Sequence, residues 1–414
     1  MTSPANDSQF TWYLTGAGAW FLAMGVQMVM FTYLVTTVLH GTEVQVGLAQ
    51  MSLTLMSMLL LLFGGNIADQ ADTRSLLIRC HAVAAVPAFV LALVVWTGAL
   101  RFEWLIVYGL AMGTITAFTM PAREAMLGDV IGDDRSRIQR AVTTTIGVTF
   151  LCQIAGMLAA SLAAITDPAL IIMLQAAAQL VGVYSSWRLL PSSRHADHAH
   201  TSEGNPLQRI AAGLREVANS DQLLPINVLT LAIGVLFIGA FLVLLPLILR
   251  AEFGATVQQI STMQAAFWGG SILSSVVISR IGNIVKRGRL IVIAVSNGAL
   301  ILMLISIPAP LVVLYLLVFA WGLGAGVMMS MSRTTVQEYA PPAHRARILS
   351  LYQLGFTGGM SVGALFVGLV AHQLGPREAT LVPAGLMALV ILWLLTQTKI
   401  WSITALKHEA GAPG

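Results

Sequence analysis

Residues 64–77 read GGNIADQADTRSLL. Asp69, Asp72 and Arg74 stand in this gap between QMSLTLMSMLLLLF at 50–63 and VAAVPAFVLALVVW at 83–96, two stretches without a charge. In a soluble protein the gap would be an ordinary turn. Between two bilayer spans it lies at a membrane face, and its charges set topology or make contacts there. The rest of the chain decides between the two. Of its 414 residues 57% are hydrophobic and 10% charged, against about 25% charged in a soluble domain. Mean hydropathy is +0.81. Apolar runs of roughly 20 residues recur throughout, each enough to cross a hydrocarbon core about 30 Å thick. The chain reads as a polytopic membrane protein. Its runs are continuous rather than alternating, which excludes β-barrel strands.

Apolar runs set against polar breaks predict twelve transmembrane helices, the first over 11–39, the fourth over 102–121 and the last over 378–399. Assigning Lys and Arg to alternate sides puts 19 of the 22 on the side of the 64–77 loop, leaving Arg101, Arg250 and Arg377 opposite. Such an asymmetry places that loop, and both termini, in the cytoplasm. The basic pI of about 9.3 is therefore topological, and nucleic-acid binding is not expected. Cys80 and Cys152 both fall in or beside apolar runs and read as small packing residues. The N-terminus MTSPANDSQF has neither a basic region nor a cleavage site, so the first span is expected to act as the targeting signal.

The longest polar break divides the chain. The expected organisation is a six-helix bundle over 1–190, a cytoplasmic linker with a short amphipathic helix over 191–221, a second six-helix bundle over 222–399 and a tail over 400–414. His195, Asp197, His198 and His200 in the linker read as a solvated spacer, and no metal site is expected. Sliding the chain on itself by 210 residues superposes Arg79 on Arg289, Arg123 on Arg333, Arg135 on Arg345, Arg137 on Arg347 and Ile138 on Ile348. The halves read as an internal duplication. An even number of helices per repeat gives both the same orientation, the two-bundle layout of many secondary transporters.

These residues resemble the major facilitator superfamily. Its signature between helices 2 and 3 is matched by Gly65, Asp69, Asp72 and Arg74, while Gln70 and Thr73 stand where basic residues are common. FTMPAREAMLGDVI after helix 4 and PPAHRARILSL before helix 11 resemble the branch containing enterobactin-type siderophore exporters and macrolide-type drug efflux proteins. The resemblance runs from about Trp12 to Leu395. It implies an all-α fold of two pseudo-symmetric six-helix bundles. It also implies a conformational latch in which Asp69 meets the start of helix 11 and Arg123, with Gly65, Asp72, Arg74, Arg333, Arg345 and Arg347 around it. The second half carries no equivalent carboxylate, and Gly156 is not followed by the proline common in proton antiporters.

In that family helices 1, 4, 7 and 10 line a central cavity. Carried over, the lining is Trp20, Met24, Gln27 and Phe31 on helix 1, Tyr108 and Met112 on helix 4, Phe237 and Phe241 on helix 7, and Trp321 and Met328 on helix 10. Gln264 and Trp268 on helix 8 join them. The spans hold essentially no ionisable residue near mid-membrane, where such groups are usually functional. A site of aromatics, thioethers and amides suits an amphipathic or lipophilic substrate. The pairs Gly109/Gly113 and Gly359/Gly363 read as close helix contacts.

The expected function is secondary active export of an amphipathic or lipophilic small molecule, a siderophore or drug, by alternating access. Proton antiport is what the resemblance implies for its energy source. A lipid or lysolipid translocator and a non-transporting membrane sensor are the alternatives. No phosphate-binding loop G-x-x-x-x-G-K-[ST] occurs, and no cluster of His, Asp, Glu or Ser at one depth suggests an enzyme. The expected partners are the small-molecule substrate, protons and the lipid bilayer. No cofactor is expected, and the protein is expected to be a monomer in the bacterial cytoplasmic (inner) membrane.

Overall fold

Several helices start or stop where the sequence supplies a cap. The structure is a computed structural model of the whole chain, describing residues 4–131, 135–191, 214–281, 284–341 and 345–404; within these, the side chains of 4–7, 62, 66, 68–70, 135–140 and 345–347 are not described. The first half holds α1 (Pro4–Tyr33), α2 (Glu43–Gln70), α3 (Thr73–Trp96), α4 (Phe102–Ile131), α5 (Arg135–Ala160) and α6 (Pro168–Trp187). The second holds α7 (Leu223–Phe253), α8 (Val257–Ile281), α9 (Arg287–Ile305), α10 (Leu311–Tyr339), α11 (Arg345–Leu374) and α12 (Leu381–Gln397). There is no strand among the described residues.

Thr42 and Gln45 form a reciprocal capping box at the start of α2, and Thr256 and Gln259 repeat it at the start of α8. Each box satisfies two backbone donors that the first turn would otherwise leave open. Asp167 caps α6, accepting from Ala169 N at 2.8 Å, with Pro168 in the first turn. At the other end of α7, Gly254 takes φ 68°, a left-handed conformation that glycine adopts without strain.

Eleven helices among the described residues are long and apolar enough to cross a membrane. The long helix outside that set is α8, which carries Gln258, Gln259, Ser261, Thr262 and Gln264 near its start. Polar side chains, not a shortfall in length, separate it from the others. The described part of the expected linker helix is 214–218, which is helical; His195, Asp197, His198 and His200 lie outside the described residues. α4 runs on to Ile131 rather than ending at 121, with Pro121 inside it. Arg123 is thereby a helix-interior residue.

Two compact units divide the chain. One comprises 1–202, 241–265 and 364–372; the other comprises 203–240, 266–363 and 373–414. In the first, α2 packs along α4, α3 along α6, and α1 along α5 and α6. Small residues set those approaches. A Cβ at Gly64 would strike the Ala117 carbonyl, one at Gly109 the Ser52 hydroxyl, and one at Gly113 the Leu53 carbonyl at 2.7 Å. Gly25 and Gly156 press α1 and α5 together reciprocally, on Gln153 and Leu22 carbonyls. In the second unit α9 packs on α10 and α12, and Gly359 and Gly363 of α11 rest on Leu231, Gly234 and Val235 of α7. Both glycine pairs singled out by their spacing are thus close helix contacts. Cys80 and Cys152 are free thiols, buried and half-buried.

Candidate functional site

In the first unit, α1, α4 and α6 bring three polar side chains together. The Tyr108 hydroxyl donates to Gln27 Oε1 at 3.1 Å. Gln175 Nε2 donates to the Tyr108 oxygen at 2.6 Å and to Gln27 Oε1 at 3.3 Å. Tyr108 is 3% exposed and its ring stacks on buried Phe31 at 5.9 Å. Every bond is neutral, so the cluster presents amides and a phenol without a charge. Within the same unit Gln264 donates from Nε2 to Met28 O at 3.0 Å, and Gln153 contacts Met28 Sδ at 3.4 Å. Gln50 donates to Thr32 Oγ1 at 3.1 Å.

The second unit gathers rings instead. Phe237 and Phe267 both meet Trp321 edge-on, at 5.7 and 5.8 Å, and Phe267 meets Trp268 at 5.9 Å. Such edge-to-face contacts are preferred because the ring edge is positive and the face negative. Trp268 Nε1 is buried without an acceptor. Of the expected lining, Gln27, Phe31 and Tyr108 thus come together in one unit, and Phe237, Trp268 and Trp321 in the other. Gln264 joins α1 rather than the rings. Met112, Phe241 and Met328 are buried, and Met24 is half-buried, with no hydrogen-bonding part in either cluster. Trp20 belongs elsewhere: it packs edge-on against His81 at 5.6 Å.

The expected latch residues take local roles. Asp72 caps α3, accepting from Ser75 N at 3.1 Å and Ser75 Oγ at 2.6 Å. Arg74 donates to the Trp187 carbonyl at the end of α6, at 2.6 Å, where a cation complements the helix dipole. A Cβ at Gly65 would meet nothing within 4 Å, whereas its neighbour Gly64 makes the tight approach. Arg333 is exposed. The side chains of Asp69, Arg345 and Arg347 lie outside those described. Arg123 is covered by the Phe21 ring, 4.4 Å from the centroid.

Sequence reading missed Gln175 and Gln179, and set His81 aside as an incidental residue near a helix end. His81 is buried on α3 with Nδ1 2.8 Å from Gln179 Oε1, so the spans do hold an ionisable side chain paired inside a bundle. The signal was present: Gln175 and Gln179 stand four apart in the otherwise apolar LIIMLQAAAQLVGV at 170–183, which puts both amides on one helix face.

Close to the ends of α1 and α2, segments distant in sequence are bonded within the first unit. Arg250 donates from Nη1 to Thr36 O at 3.1 Å and Gly41 O at 2.6 Å, and its Nη2 lies 4.0 Å from Glu43. His372 Nδ1 is 3.5 Å from the same carboxylate. A Cβ at Gly47 would meet Ala364 O at 2.6 Å, and one at Gly368 would meet Glu43 O at 2.8 Å.

Nearly the whole chain, residues 3–412, matches the family described as transmembrane secretion effectors. The chain belongs to that family. It is a transporter of the major facilitator type, a multi-pass membrane protein and not an enzyme. The fold is shared with several solved transporters. A point mutant of the nucleoside transporter NupG superposes with a TM-score of 0.77 at 15% identity, covering 94% of this chain and 99% of that one. A POT family transporter in complex with 5-aminolevulinic acid gives 0.75 at 12% identity, covering 94% and 96%. A bacterial homologue of the human lysosomal transporter Spinster gives 0.67 at 12% identity, covering 97% of each chain. At such identities the likeness is one of fold. The comparison with curated proteins returns no match.

Proposed function

We propose that this secretion-effector family member exports an amphipathic or lipophilic small molecule, a siderophore or drug, from the cytoplasm by alternating access. The observation that carries the reading is the uncharged character of both clusters. Gln27, Tyr108 and Gln175 offer hydrogen bonds without charge, and Phe237, Phe267, Trp268 and Trp321 offer ring faces and edges. A few placed polar groups among aromatic surface are the usual make-up of a site for such ligands. A sugar phosphate or inorganic anion would require convergent charge, which neither cluster holds.

The proposal includes twelve spans in two related six-helix repeats, α8 being the twelfth, with both termini cytoplasmic in a bacterial inner membrane. The bonds of Arg250 and Glu43 and the close approaches at Gly47 and Gly368 then lie at the outer side, and release outward requires them to part. Asp69 is the latch on the cytoplasmic side, and proton antiport is the energy source. The test uses the full chain in proteoliposomes loaded with a lipophilic fluorescent cation or a catecholate siderophore, with and without an imposed pH gradient. Gradient-driven movement of either compound is expected. Movement of a small polar solute such as a nucleoside, with neither of those compounds carried, would overturn the proposal.

A further inference from the structure

A pocket of the first unit contains a buried cation that makes no ion pair with any described side chain. Trp12, Tyr13, Trp20, His81, Arg123 and Ser186 line it, from α1, α3, α4 and α6. Beside it lies the apolar cluster of Tyr13, Ala17, Leu77, Ala122, Met126 and Leu189. Two buried donors there, Arg123 Nη1 and Trp20 Nε1, find no acceptor among the described residues. The Phe21 ring covers the face of the guanidinium, so only the edge N–H groups remain to be satisfied. No carboxylate among the described side chains pairs with Arg123 at ion-pair distance. Neither Arg123 Nη1 nor Trp20 Nε1 is bonded to His81, whose Nδ1 lies 2.8 Å from Gln179 Oε1.

A buried charge without a partner and two orphaned donors are each costly. An acceptor of the right size removes both costs at once. The cavity is small, about 10 Å³, room for one water-sized sphere. That excludes phosphate, sulfate or a lipid headgroup. A water would satisfy the donors but leave the charge unbalanced.

We propose that this pocket is a binding site for a chloride-sized monovalent anion, held by Arg123 Nη1 and Trp20 Nε1. The site lies inside one bundle, apart from the Gln27–Tyr108–Gln175 cluster, and does not depend on the substrate reading. A carboxylate oxygen is the other acceptor of this size, and Asp69 is its source nearest in the sequence reading, so the test separates the two.

The purified full chain in detergent is melted at constant ionic strength with chloride replacing gluconate. Above the binding midpoint chloride raises the melting temperature by about 2 °C per decade of concentration, and bromide competes. Arg123→Gln abolishes the dependence, and Trp20→Phe shifts the midpoint several-fold upward while retaining the fold. Equilibrium dialysis with radioactive chloride gives one saturable site in the wild type, a readout that needs no variant. Three results overturn the proposal. One is a wild type indifferent to chloride in both measurements. Another is a chloride effect that survives Arg123→Gln. The third is a chloride effect that is absent in the wild type and appears in Asp69→Asn, which would make the carboxylate the native occupant.

Discussion

Removing the Tyr108 hydroxyl tests whether the polar cluster is a single unit. Tyr108→Phe keeps the ring that stacks on Phe31 and deletes two bonds, one donated to Gln27 and one accepted from Gln175. The bond from Gln175 to Gln27 at 3.3 Å survives. Side-chain hydrogen bonds between transmembrane helices contribute about 0.6 kcal/mol each, so the expected destabilisation is about 1.2 kcal/mol. Gln175→Met also deletes two bonds, leaving Tyr108 to Gln27, and costs about the same. The double variant deletes all three bonds, for about 1.8 kcal/mol, because the Tyr108–Gln175 bond is shared by both singles. The cycle is therefore sub-additive by about 0.6 kcal/mol, the contribution of that one bond. The assay is reversible unfolding in mixed micelles of rising denaturing-detergent fraction, with transport of a lipophilic cation measured in parallel. Additive single effects would refute the argument, since they would mean that the two side chains do not meet. Single effects below about 0.3 kcal/mol would refute it differently, by showing that water or another partner replaces the bonds without cost.

Four further outcomes follow from the same geometry. Gly156→Leu drives a side chain into the Leu22 carbonyl of α1 and is expected to cost at least about 1–3 kcal/mol, read as lower expression and a lower melting temperature. Arg377 donates to Ile305 O at 2.5 Å and Ile307 O at 2.7 Å while 8% exposed; Arg377→Ala is expected to cost about 1.5–3 kcal/mol, whereas exposed Arg101→Ala leaves melting unchanged, and equal effects would discard the capping role. Lys399 and Asp221 pair at 2.6 Å in full solvent, and Lys399→Ala is expected to leave the melting temperature where it is. Asp69→Asn is expected to slow transport several-fold with expression and topology intact, and wild-type rates in that variant would remove the latch.

The helices were legible because their apolar runs are long and set off by polar breaks, whereas the caps at Thr42, Asp72 and Asp167 emerged only with the structure. The end of α4 was not legible. Pro121 resembles a stop, yet a proline within a helix removes one hydrogen bond and the segment after it still has a helical pattern. That extension is what places Arg123 inside a bundle instead of at a loop. The proposed repeat does not keep a single offset. An offset of 210 aligns Arg123 with Arg333, but the two capping boxes, Thr42/Gln45 and Thr256/Gln259, are separated by 214. The positions opposite Gly65 and Asp69 therefore shift by about one helical turn from those a single offset assigns. The candidate site was legible as residue types and not as partners. Aromatic and amide positions on α1, α4 and α10 stood out singly, while Gln175 entered only once α6 was packed against them, and His81 gained a partner only when α3 met α6.

The three arginines that broke the charge asymmetry now bear on it differently. A basic residue counts toward topology only if its position is free to answer to the membrane. Arg250 is held by the carbonyls of Thr36 and Gly41, where α1 ends. Arg377 is held by the carbonyls of Ile305 and Ile307, where α9 ends. At a helix C-terminus a guanidinium satisfies exposed carbonyls and complements the dipole, a reason to be there that is independent of which side it faces. With those two set aside, Arg101 is the one remaining exception against 19 residues on the other side. The same test also removes from the majority Arg74, held by the Trp187 carbonyl, and Arg123, buried inside the bundle, and the asymmetry persists without them. The apparent exceptions become part of the packing that ends the helices.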